Sequence, residues 1–282
     1  MSGLPTRLRS LLFAPAVRAD LVAKTPTTGA DLVAVDLEDA TPVVAKSAAR
    51  GELAGLVASV IDRAAVAVRV NDPTTEWFED DIGALPDGLA AILVPKIETV
   101  DGLDHVRAVL ESAGRPGLAV IAGLETALGV ADARSLLSHP VVGAAYFGAE
   151  DFIADMGGVR TATNHEVAFA RSHVALAGRL ARRPVLDQVV ADFRDDDRSR
   201  RENEEARAMG YVGKLCIHPA QVTIANDVFT PSADEIDRAA RLLAAYEEAS
   251  AGGIAAIDFE GQMVDEPVAA QARRLLTLAE PR

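Results

Sequence analysis

The strongest constraint on the fold is a repeated alternation between short apolar runs and longer segments with helical spacing. Short apolar runs bounded by glycine or a charge are typical of buried parallel strands, and the segments between them predict crossover helices. Eight units of this kind predict a (β/α)₈ barrel, and a doubly wound open sheet is the alternative that periodicity alone leaves open. The runs are Ser10–Ala16, Asp31–Leu37, Ala65–Val70, Ala90–Pro95, AVIAGLE and VVGAAYFGAED within Leu118–Phe152, Pro184–Val190 and Gly213–His218.

The apolar runs end well before the chain does, which predicts two parts. Residues 1–225 are expected to form the barrel, and residues 226–282 a C-terminal helix and lid. A helix is expected over about 232–250, followed by the Gly252-Gly253 pair as a hinge, the segment GGIAAIDFEGQMVDEP and a last helix. The length of 282 residues suits this arrangement, because barrels of this class are commonly about 250 residues long.

Charge and cysteine content narrow the function. The formal net charge of −14 argues against nucleic acid or an anionic membrane as a partner, although a local basic cluster would still accept a phosphorylated ligand. A single cysteine, Cys216, allows no internal disulfide and fits a reducing cytoplasm. No apolar run reaches the length of a membrane span, and Met1–Ser10 has no apolar signal core. We therefore expect a cytoplasmic protein.

Two acidic residues, Glu125 and Asp151, close the fifth and sixth apolar runs. The carboxyl ends of neighbouring parallel strands meet at one face of a barrel, where the chemistry of such folds is located. Two carboxylates there can hold a hard cation such as Mg²⁺, which prefers oxygen ligands. The alternative is that Glu125 caps the helix that follows it and Asp151 caps a turn.

Other strand ends also carry polar groups, which predicts an active site at this face. They are Pro15 and Arg18, Asp36, Glu38 and Asp39, Arg69 and Asn71, Lys96 and Glu98, Glu150, Asp192, and His218. Lys96 raises the alternative of a Schiff-base aldolase with a desolvated lysine nucleophile. His218 is more typical of a structural histidine that holds a loop.

Seven motifs in order resemble one known family over essentially the whole chain. They are RSLLFAPAVRADLVAK, DLVAVDLEDATPVVAKSAAR, VAVRVND, GLETALGV, YFGAEDF, GYVGKLCIHPAQ and FEGQMVDEP. The chain resembles the citrate lyase beta-subunit-like proteins of the HpcH/HpaI aldolase superfamily, which includes malyl-CoA and citramalyl-CoA lyases. It departs from the family pattern at Ala16 and Ala19, where glycine and proline are frequent, and at Pro26, which interrupts a helix. These departures lie near the expected entrance for the thioester carrier.

The resemblance implies that Glu125 and Asp151 bind Mg²⁺ and that Arg69 holds a substrate carboxylate or carbonyl. A planar guanidinium suits that role because it can grip a carboxylate in two places. Glu38 and Asp39 are interpreted as groups that orient Arg69 or the waters of the metal, with a purely structural role as the alternative. Arg69 itself has the alternative of a structural salt bridge to Glu38 or Asp39.

The resemblance also implies that Arg18 and Lys24 contact the phosphates of coenzyme A, the thioester carrier. It also implies that Asp265 is a catalytic acid/base acting in a neighbouring subunit of a homo-oligomer, a trimer or a multiple of it. A desolvated aspartate can serve in this way because burial raises its pKa toward working pH. The alternative is that Asp265 only caps the last helix.

The implied reaction is a Mg²⁺-dependent cleavage, or formation, of a carbon–carbon bond. A 3-hydroxyacyl-CoA thioester would yield an acyl-CoA and a 2-oxo acid. Three alternatives remain: the citryl lyase subunit of citrate lyase acting on an acyl-carrier-protein thioester, a thioesterase using the same metal site, and a barrel that has lost catalysis and serves as a binding subunit.

Overall fold

Eight parallel strands close into a barrel in the computed structural model, which describes residues 3–279. Each strand pairs with the next along the chain, and the last returns to the first, where Leu215 lies opposite Leu11. The predicted (β/α)₈ barrel is confirmed, and the open sheet is ruled out because this sheet has no free edge. The strands are β1 (Ser10–Pro15), β2 (Leu32–Asp36), β3 (Val66–Arg69), β4 (Ala91–Val94), β5 (Ala119–Leu124), β6 (Val142–Phe147), β7 (Val185–Asp187) and β8 (Gly213–Cys216).

Helices follow the strands. In addition, short 3₁₀ turns occupy Thr25–Thr27, Val43–Ala45 and His165–Val167. The α-helices are α1 (Ala19–Val22), α2 (Lys46–Ala58), α3 (Phe78–Ala84), α4 (Val100–Ser112), α5 (Ala127–Ala131), α6 (Ala133–Leu137), α7 (Ala149–Asp155), α8 (Ala168–Ala181), α9 (Asp196–Met209) and α10 (Pro219–Val228).

One detail of the βα loops differs from the sequence expectation, and a second concerns the segment before α8. The sixth apolar run is a strand only as far as Phe147, so Asp151 lies in the first turn of α7 and not at the strand end itself. Asn164 makes no side-chain cap bond and adopts a left-handed backbone with φ of 56°, and α8 begins four residues later. The Asn164 side chain instead accepts hydrogen bonds from Arg160 and Gln188.

The interior of the barrel is filled by side chains from alternate strand positions. Leu32 and Ala34 of β2 belong to this buried cluster, as does Ala67 of β3. Because strand side chains alternate with a period of two, the next inward positions at the carboxyl ends of these strands are Asp36 and Arg69. The two residues are direct partners in the β2–β3 register. The interior of the barrel is therefore apolar along most of each strand and charged at the carboxyl ends of β2 and β3.

A second charged group is buried between the barrel and its outer helices. Asp187 of β7 accepts hydrogen bonds from Arg171 of α8 at 2.8 Å and from Lys214 of β8 at 2.5 Å. All three side chains are almost fully buried. Glu202 of α9 adds a carboxylate 3.6 Å from Lys214. The helix α9 thus buries one polar face against this network.

Asp187→Asn is expected to destabilise the barrel by about 3–5 kcal/mol, because it leaves two buried cations without their main counter-charge. Burial alone would raise the pKa of Asp187, but the charges of Lys214 and Arg171 hold it below its ordinary value. The stabilisation by this carboxylate is therefore present above about pH 4 and is lost as the pH falls through the depressed pKa of the folded state. Urea unfolding at pH 7 and at pH 3.5 measures both effects.

The matched control is Asp227→Asn, which breaks an exposed ion pair with Arg200 in the same unit. Such surface pairs contribute about 0–1 kcal/mol. Equal losses in the two variants at pH 7 would contradict the assigned role of Asp187.

The chain divides into two units, Met1–Asp227 and Val228–Arg282. The second contains α11 (Ala233–Ala251), an antiparallel pair β9 (Ile257–Phe259) and β10 (Gln262–Val264), and α12 (Glu266–Ala279). The β9–β10 hairpin was not predicted, although its turn at Glu260-Gly261 has two positive φ angles, as in a type I′ turn. Tyr246, Val264 and Ala269 form part of a separate hydrophobic core in this second unit.

No helix within residues 3–279 is both long and apolar enough to cross a membrane.

Candidate active site

Glu125 is an almost fully buried acid at the end of the barrel where the strands have their carboxyl ends. It follows β5, and its Oε1 accepts hydrogen bonds from the Lys96 backbone N–H at 3.0 Å and the Tyr146 hydroxyl at 3.1 Å. A Cβ at Gly148 would collide with the Glu125 carboxylate, so glycine in the β6–α7 turn makes room for it. The following helix is capped by the Thr126 side chain instead, so Glu125 does not serve as the helix cap.

The charge of Glu125 is poorly compensated. No ion pair to Glu125 occurs within residues 3–279. Burial, together with the negative charges of Asp151 and Glu38, raises the pKa of Glu125 to about 8. A carboxylate in this setting binds a cation favourably, because a positive charge offsets the cost of removing it from water.

Asp151 lies close to the same point, as the sequence predicted. It is half-exposed in the first turn of α7, and its Oδ1 is 3.4 Å from the ammonium nitrogen of Lys96. Lys96 also contacts Glu125 through its backbone N–H. The structure therefore brings Glu125 and Asp151 together around one lysine, whose own part was not foreseen.

Arg69 is held by a set of acids that only partly matches the expectation. Its Nε and Nη2 donate to the two oxygens of Asp36 at 2.8 and 2.6 Å. Its Nη1 is 2.7 Å from Glu38 and 3.5 Å from Asp39. The predicted neighbours are present, but the main partner is Asp36. The guanidinium carbon also lies 4.9 Å from the centre of the Phe13 ring, which fixes the plane of the side chain.

Glu38 connects the two cations of the site. Its Oε1 accepts a hydrogen bond of 2.5 Å from Lys96, while the buried Oε2 faces Arg69 without a hydrogen bond. Burial raises the pKa of Glu38, and the charges of Arg69 and Lys96 oppose that rise. Asp39 points outward and is more than half exposed. Of the two residues interpreted as orienting groups, Glu38 therefore makes the closer contacts.

Comparison with known proteins identifies the wider family. Residues 9–219 match the family model described as HpcH/HpaI aldolase/citrate lyase. The chain belongs to this family. A citrate lyase subunit beta-like protein of Deinococcus radiodurans is 46% identical over 98% of this chain and 99% of its own length. A (3S)-malyl-CoA thioesterase of Cereibacter sphaeroides is 34% identical over 96% of this chain and 94% of its own.

A solved crystal structure resembles this fold closely. The crystal structure of the protein CitE from Mycobacterium tuberculosis, in complex with magnesium, acetoacetate and coenzyme A, superposes with a TM-score of 0.80. The two are 31% identical, and the match covers 98% of this chain and 99% of the other. The family resemblance seen in the motifs is thus confirmed across nearly the whole length.

The residues expected to contact a thioester carrier lie at the surface of this HpcH/HpaI barrel. Arg18 precedes α1 and forms a bidentate pair with Asp20 at 2.8 Å, with half of each side chain exposed. Lys24 is exposed just after α1. The Pro26 turn follows as a separate 3₁₀ segment, and α1 ends at Val22, before the interruption that the sequence indicated at Pro26.

Two other predicted site residues, His218 and Asp265, make their contacts outside the cluster around Glu125. His218 stacks on Phe193 with ring centres 5.1 Å apart, and the Ala220 amide lies 3.2 Å from its Nδ1. Asp265 lies in the second unit, where one carboxylate oxygen is 3.4 Å from the Val268 amide at the start of α12. That contact is the geometry of a helix cap, so the capping role of Asp265 is present whatever else it does.

The sequence interpretation missed two residues of the site. Asp36 was noted only as a strand end, and Tyr146 was not noted. The signal for both is the period of two within their strands, because Asp36 follows Ala34 and Tyr146 follows Ala144 on the inner face. A polar side chain on an otherwise apolar inner row indicates the catalytic end of a barrel.

Proposed function

We propose that this protein is a Mg²⁺-dependent carbon–carbon lyase that converts a 3-hydroxyacyl-CoA thioester into an acyl-CoA and a 2-oxo acid. The observation that carries the proposal is the buried Glu125 carboxylate, which lacks an ion-pair partner in the described chain and lies beside Asp151. The relatives support the same chemistry, because a solved neighbour binds magnesium, a 3-oxo acid and coenzyme A.

The donor set fits a magnesium ion. Besides the outward-pointing Asp39, four carboxylates lie at this end of the barrel, and when all are ionised the two cations among them leave an excess of two negative charges. The acids are Asp36, Glu38, Glu125 and Asp151, and the cations are Arg69 and Lys96. One divalent ion held by Glu125 and Asp151 would balance that charge, with other positions left for water or substrate, as Mg²⁺ usually requires. When bound, it acts as a Lewis acid on oxygen.

The protein's own groups then orient the substrate. Arg69, fixed by Asp36 and by the Phe13 ring, keeps N–H donors available for a substrate carboxylate or carbonyl. The Oε2 of Glu38, which faces Arg69 at 2.7 Å but accepts no hydrogen bond, is suited to accept one from a substrate hydroxyl. Tyr146 and the Lys96 backbone hold Glu125 in one orientation.

The structure speaks against the Schiff-base alternative. A lysine nucleophile needs a lowered pKa so that the free amine is available. Burial of Lys96 acts in that direction, but its hydrogen bond to Glu38 and the charges of Glu38, Glu125 and Asp151 raise its pKa above the ordinary value. Lys96 therefore stays an ammonium ion at neutral pH.

A thioesterase on the same site is the second candidate, favoured by the similarity to the malyl-CoA thioesterase. Product analysis separates the two. Malyl-CoA and citramalyl-CoA are incubated with the protein, with and without Mg²⁺, while 2-oxo acid and free thiol are measured together. A lyase releases 2-oxo acid without thiol, and a thioesterase releases thiol without 2-oxo acid. The protein's only cysteine is buried, and burial raises its pKa to about 12, so it adds little background to the thiol assay.

The catalytic proposal would be rejected if the protein released no 2-oxo acid and no thiol from malyl-CoA, from citramalyl-CoA and from an acyl-carrier-protein thioester. Release from the carrier-protein thioester alone would favour the citryl lyase subunit.

Arg69→Lys is expected to lower kcat/KM by about ten- to a hundredfold. The change replaces a bidentate fork by a point charge, and a hydrogen bond to a charged group contributes about 1.5–3 kcal/mol. Steady-state kinetics at saturating Mg²⁺ measures the effect.

Arg9→Lys is the matched control for this substitution. Arg9 forms an equally bidentate pair with Asp31, at 2.9 and 2.7 Å, but just before β1 at the opposite end of the barrel. Its kinetics should stay within about twofold of the parent, because the change removes the same kind of contact away from the site. Equal kinetics for Arg69→Lys and the parent would reject the role of Arg69.

A further inference from the structure

Lys96 touches both proposed metal ligands from one position at the end of β4. Its backbone adopts a left-handed conformation with φ of 51°, which is uncommon for a residue other than glycine. In this conformation the backbone N–H reaches Glu125 at 3.0 Å while the side chain turns toward Asp151. Strained backbone at a strand end commonly marks a functional site.

We propose that the Lys96 ammonium is a built-in competitor of the metal ion, which pairs with Asp151 in the metal-free protein and withdraws from it when a divalent cation binds. The inference rests on the proposed function, because it takes Glu125 and Asp151 as the metal ligands. It assigns Lys96 a role in setting metal affinity and no role as a nucleophile.

The two side-chain contacts of Lys96 are unequal, which supports a movable arrangement. The contact to Glu38 is a hydrogen bond of 2.5 Å to a buried carboxylate. The contact to Asp151 is an ion pair of 3.4 Å to a half-exposed one. Lys96 can therefore give up Asp151 and keep Glu38. Glu38 would also retain Arg69 at 2.7 Å, so no buried acid is left without a cation.

Asp151 has more to gain from a metal than from the lysine. Within residues 3–279, Lys96 is the only ion-pair partner of Asp151. A divalent ion bound to Asp151 and Glu125 would serve both acids at once, whereas the ammonium reaches only one of them. The lysine charge also repels an ion held so close to it, and solvent screens this repulsion less in a partly buried site than at an open surface. Lys96 therefore weakens metal binding while it neutralises the metal-free site.

Lys96→Met tests the inference through binding, without any turnover. Isothermal titration with Mg²⁺ and with Mn²⁺ should give a Kd about tenfold lower than that of the parent, a change of about 1.4 kcal/mol. The melting temperature of the metal-free variant should fall, and the rise in that temperature on adding Mg²⁺ should exceed the rise in the parent. Lys96→Arg keeps the positive charge and should bind the metal with nearly the affinity of the parent.

Lys46→Met is the matched control. Lys46 is another buried ammonium at the same end of the barrel, and it donates to the backbone oxygens of Leu37 and Glu38 and to the Asn71 side chain. Within residues 3–279, its ammonium makes no hydrogen bond or ion pair with Asp151 or Glu125, so its removal should change the metal Kd by less than about threefold. Equal tightening in Lys46→Met would overturn the inference, since the effect would then be one of general charge.

A measurement on the unmodified protein covers the case in which Lys96→Met does not fold. The chain contains only four lysines, at positions 24, 46, 96 and 214. Lysine-selective isotope labelling therefore gives four side-chain signals by nuclear magnetic resonance, and Lys96→Arg identifies the one from Lys96. That signal should shift on saturation with Mg²⁺, while the Lys214 signal stays in place.

The outcomes separate this inference from the function on which it rests. If the parent binds neither Mg²⁺ nor Mn²⁺, the proposed metal site is wrong and the inference falls with it. If the parent binds metal but Lys96→Met binds no tighter, or the Lys96 signal does not move, only the competition by Lys96 is overturned.

Discussion

Glu125→Gln is expected to abolish Mg²⁺-dependent turnover while the protein stays folded. The amide keeps the size of the side chain and an oxygen that can accept from Tyr146 and the Lys96 backbone. It removes the charge that would hold the metal, and loss of a Lewis acid worth several kcal/mol should lower kcat by at least about a thousandfold. Kinetics across a Mg²⁺ titration measure this loss.

The fold should not suffer, because burying an uncharged amide costs less than burying a carboxylate. The melting temperature without metal should be at or above that of the parent, whereas added Mg²⁺ should no longer raise it. If Glu125→Gln stays fully active with unchanged Mg²⁺ dependence, the hypothesis that Glu125 binds the metal is wrong.

Glu150→Gln provides the control beside the site. Glu150 adjoins Asp151 in α7, but its carboxylate bonds to Arg160 at 2.9 Å and is half exposed. If Glu150→Gln lost Mg²⁺-dependent turnover as Glu125→Gln is expected to do, the assignment of Glu125 as the metal ligand would be contradicted.

Asp265→Asn is expected to lose most activity while the second unit keeps its stability. Asparagine caps a helix as well as aspartate does, so the contact to the Val268 amide survives the change. The amide cannot exchange a proton with the enolate carbon, which must gain one on cleavage. The substitution therefore separates the proposed acid/base role from the capping role. An active Asp265→Asn protein with an unchanged melting temperature would leave Asp265 as a cap only.

We further propose that Asp265 serves the barrel of an adjacent copy in a homo-oligomer. Its position after the Gly252-Gly253 turn would let the segment close over a site as a lid, since Gly253 has a φ of 85° and begins a loop. A mixing test addresses this. Asp265→Asn and Glu125→Gln proteins, each inactive alone, are unfolded together and refolded as mixed oligomers.

Mixed oligomers should regain about a quarter of the parental activity, because half of the barrels keep Glu125 and half of the adjacent copies keep Asp265. A mixture of Asp265→Asn with Asp265→Ala is the control and should regain none. Absence of recovery in the first mixture, or a monomer in sedimentation experiments, would reject the shared site.

Several features could be predicted from the sequence because they depend on local pattern. Eight short apolar runs that alternate with segments of helical spacing are typical of the (β/α)₈ barrel. The closed barrel could therefore be predicted from the sequence. The position of Arg69 and Glu125 at strand ends followed in the same way, since parallel strands place their carboxyl ends at one face. The pair Arg69 and Asp36 was within reach of this reasoning, because both continue inward-facing rows of neighbouring strands.

Other features depended on tertiary structure, because they join residues far apart in the chain through strand register and side-chain conformation. Lys96 is 58 residues from Glu38, and nothing in the local sequence indicates that its ammonium joins Glu38 to Asp151. The hydrogen bond from Tyr146 to Glu125 depends on the β5–β6 register, which shifts after Val120. A one-residue change in register would turn each of these side chains to the other face of the sheet. The sequence by itself thus determined the barrel and which end of it carries the charges, and only the packed structure decided which charges meet.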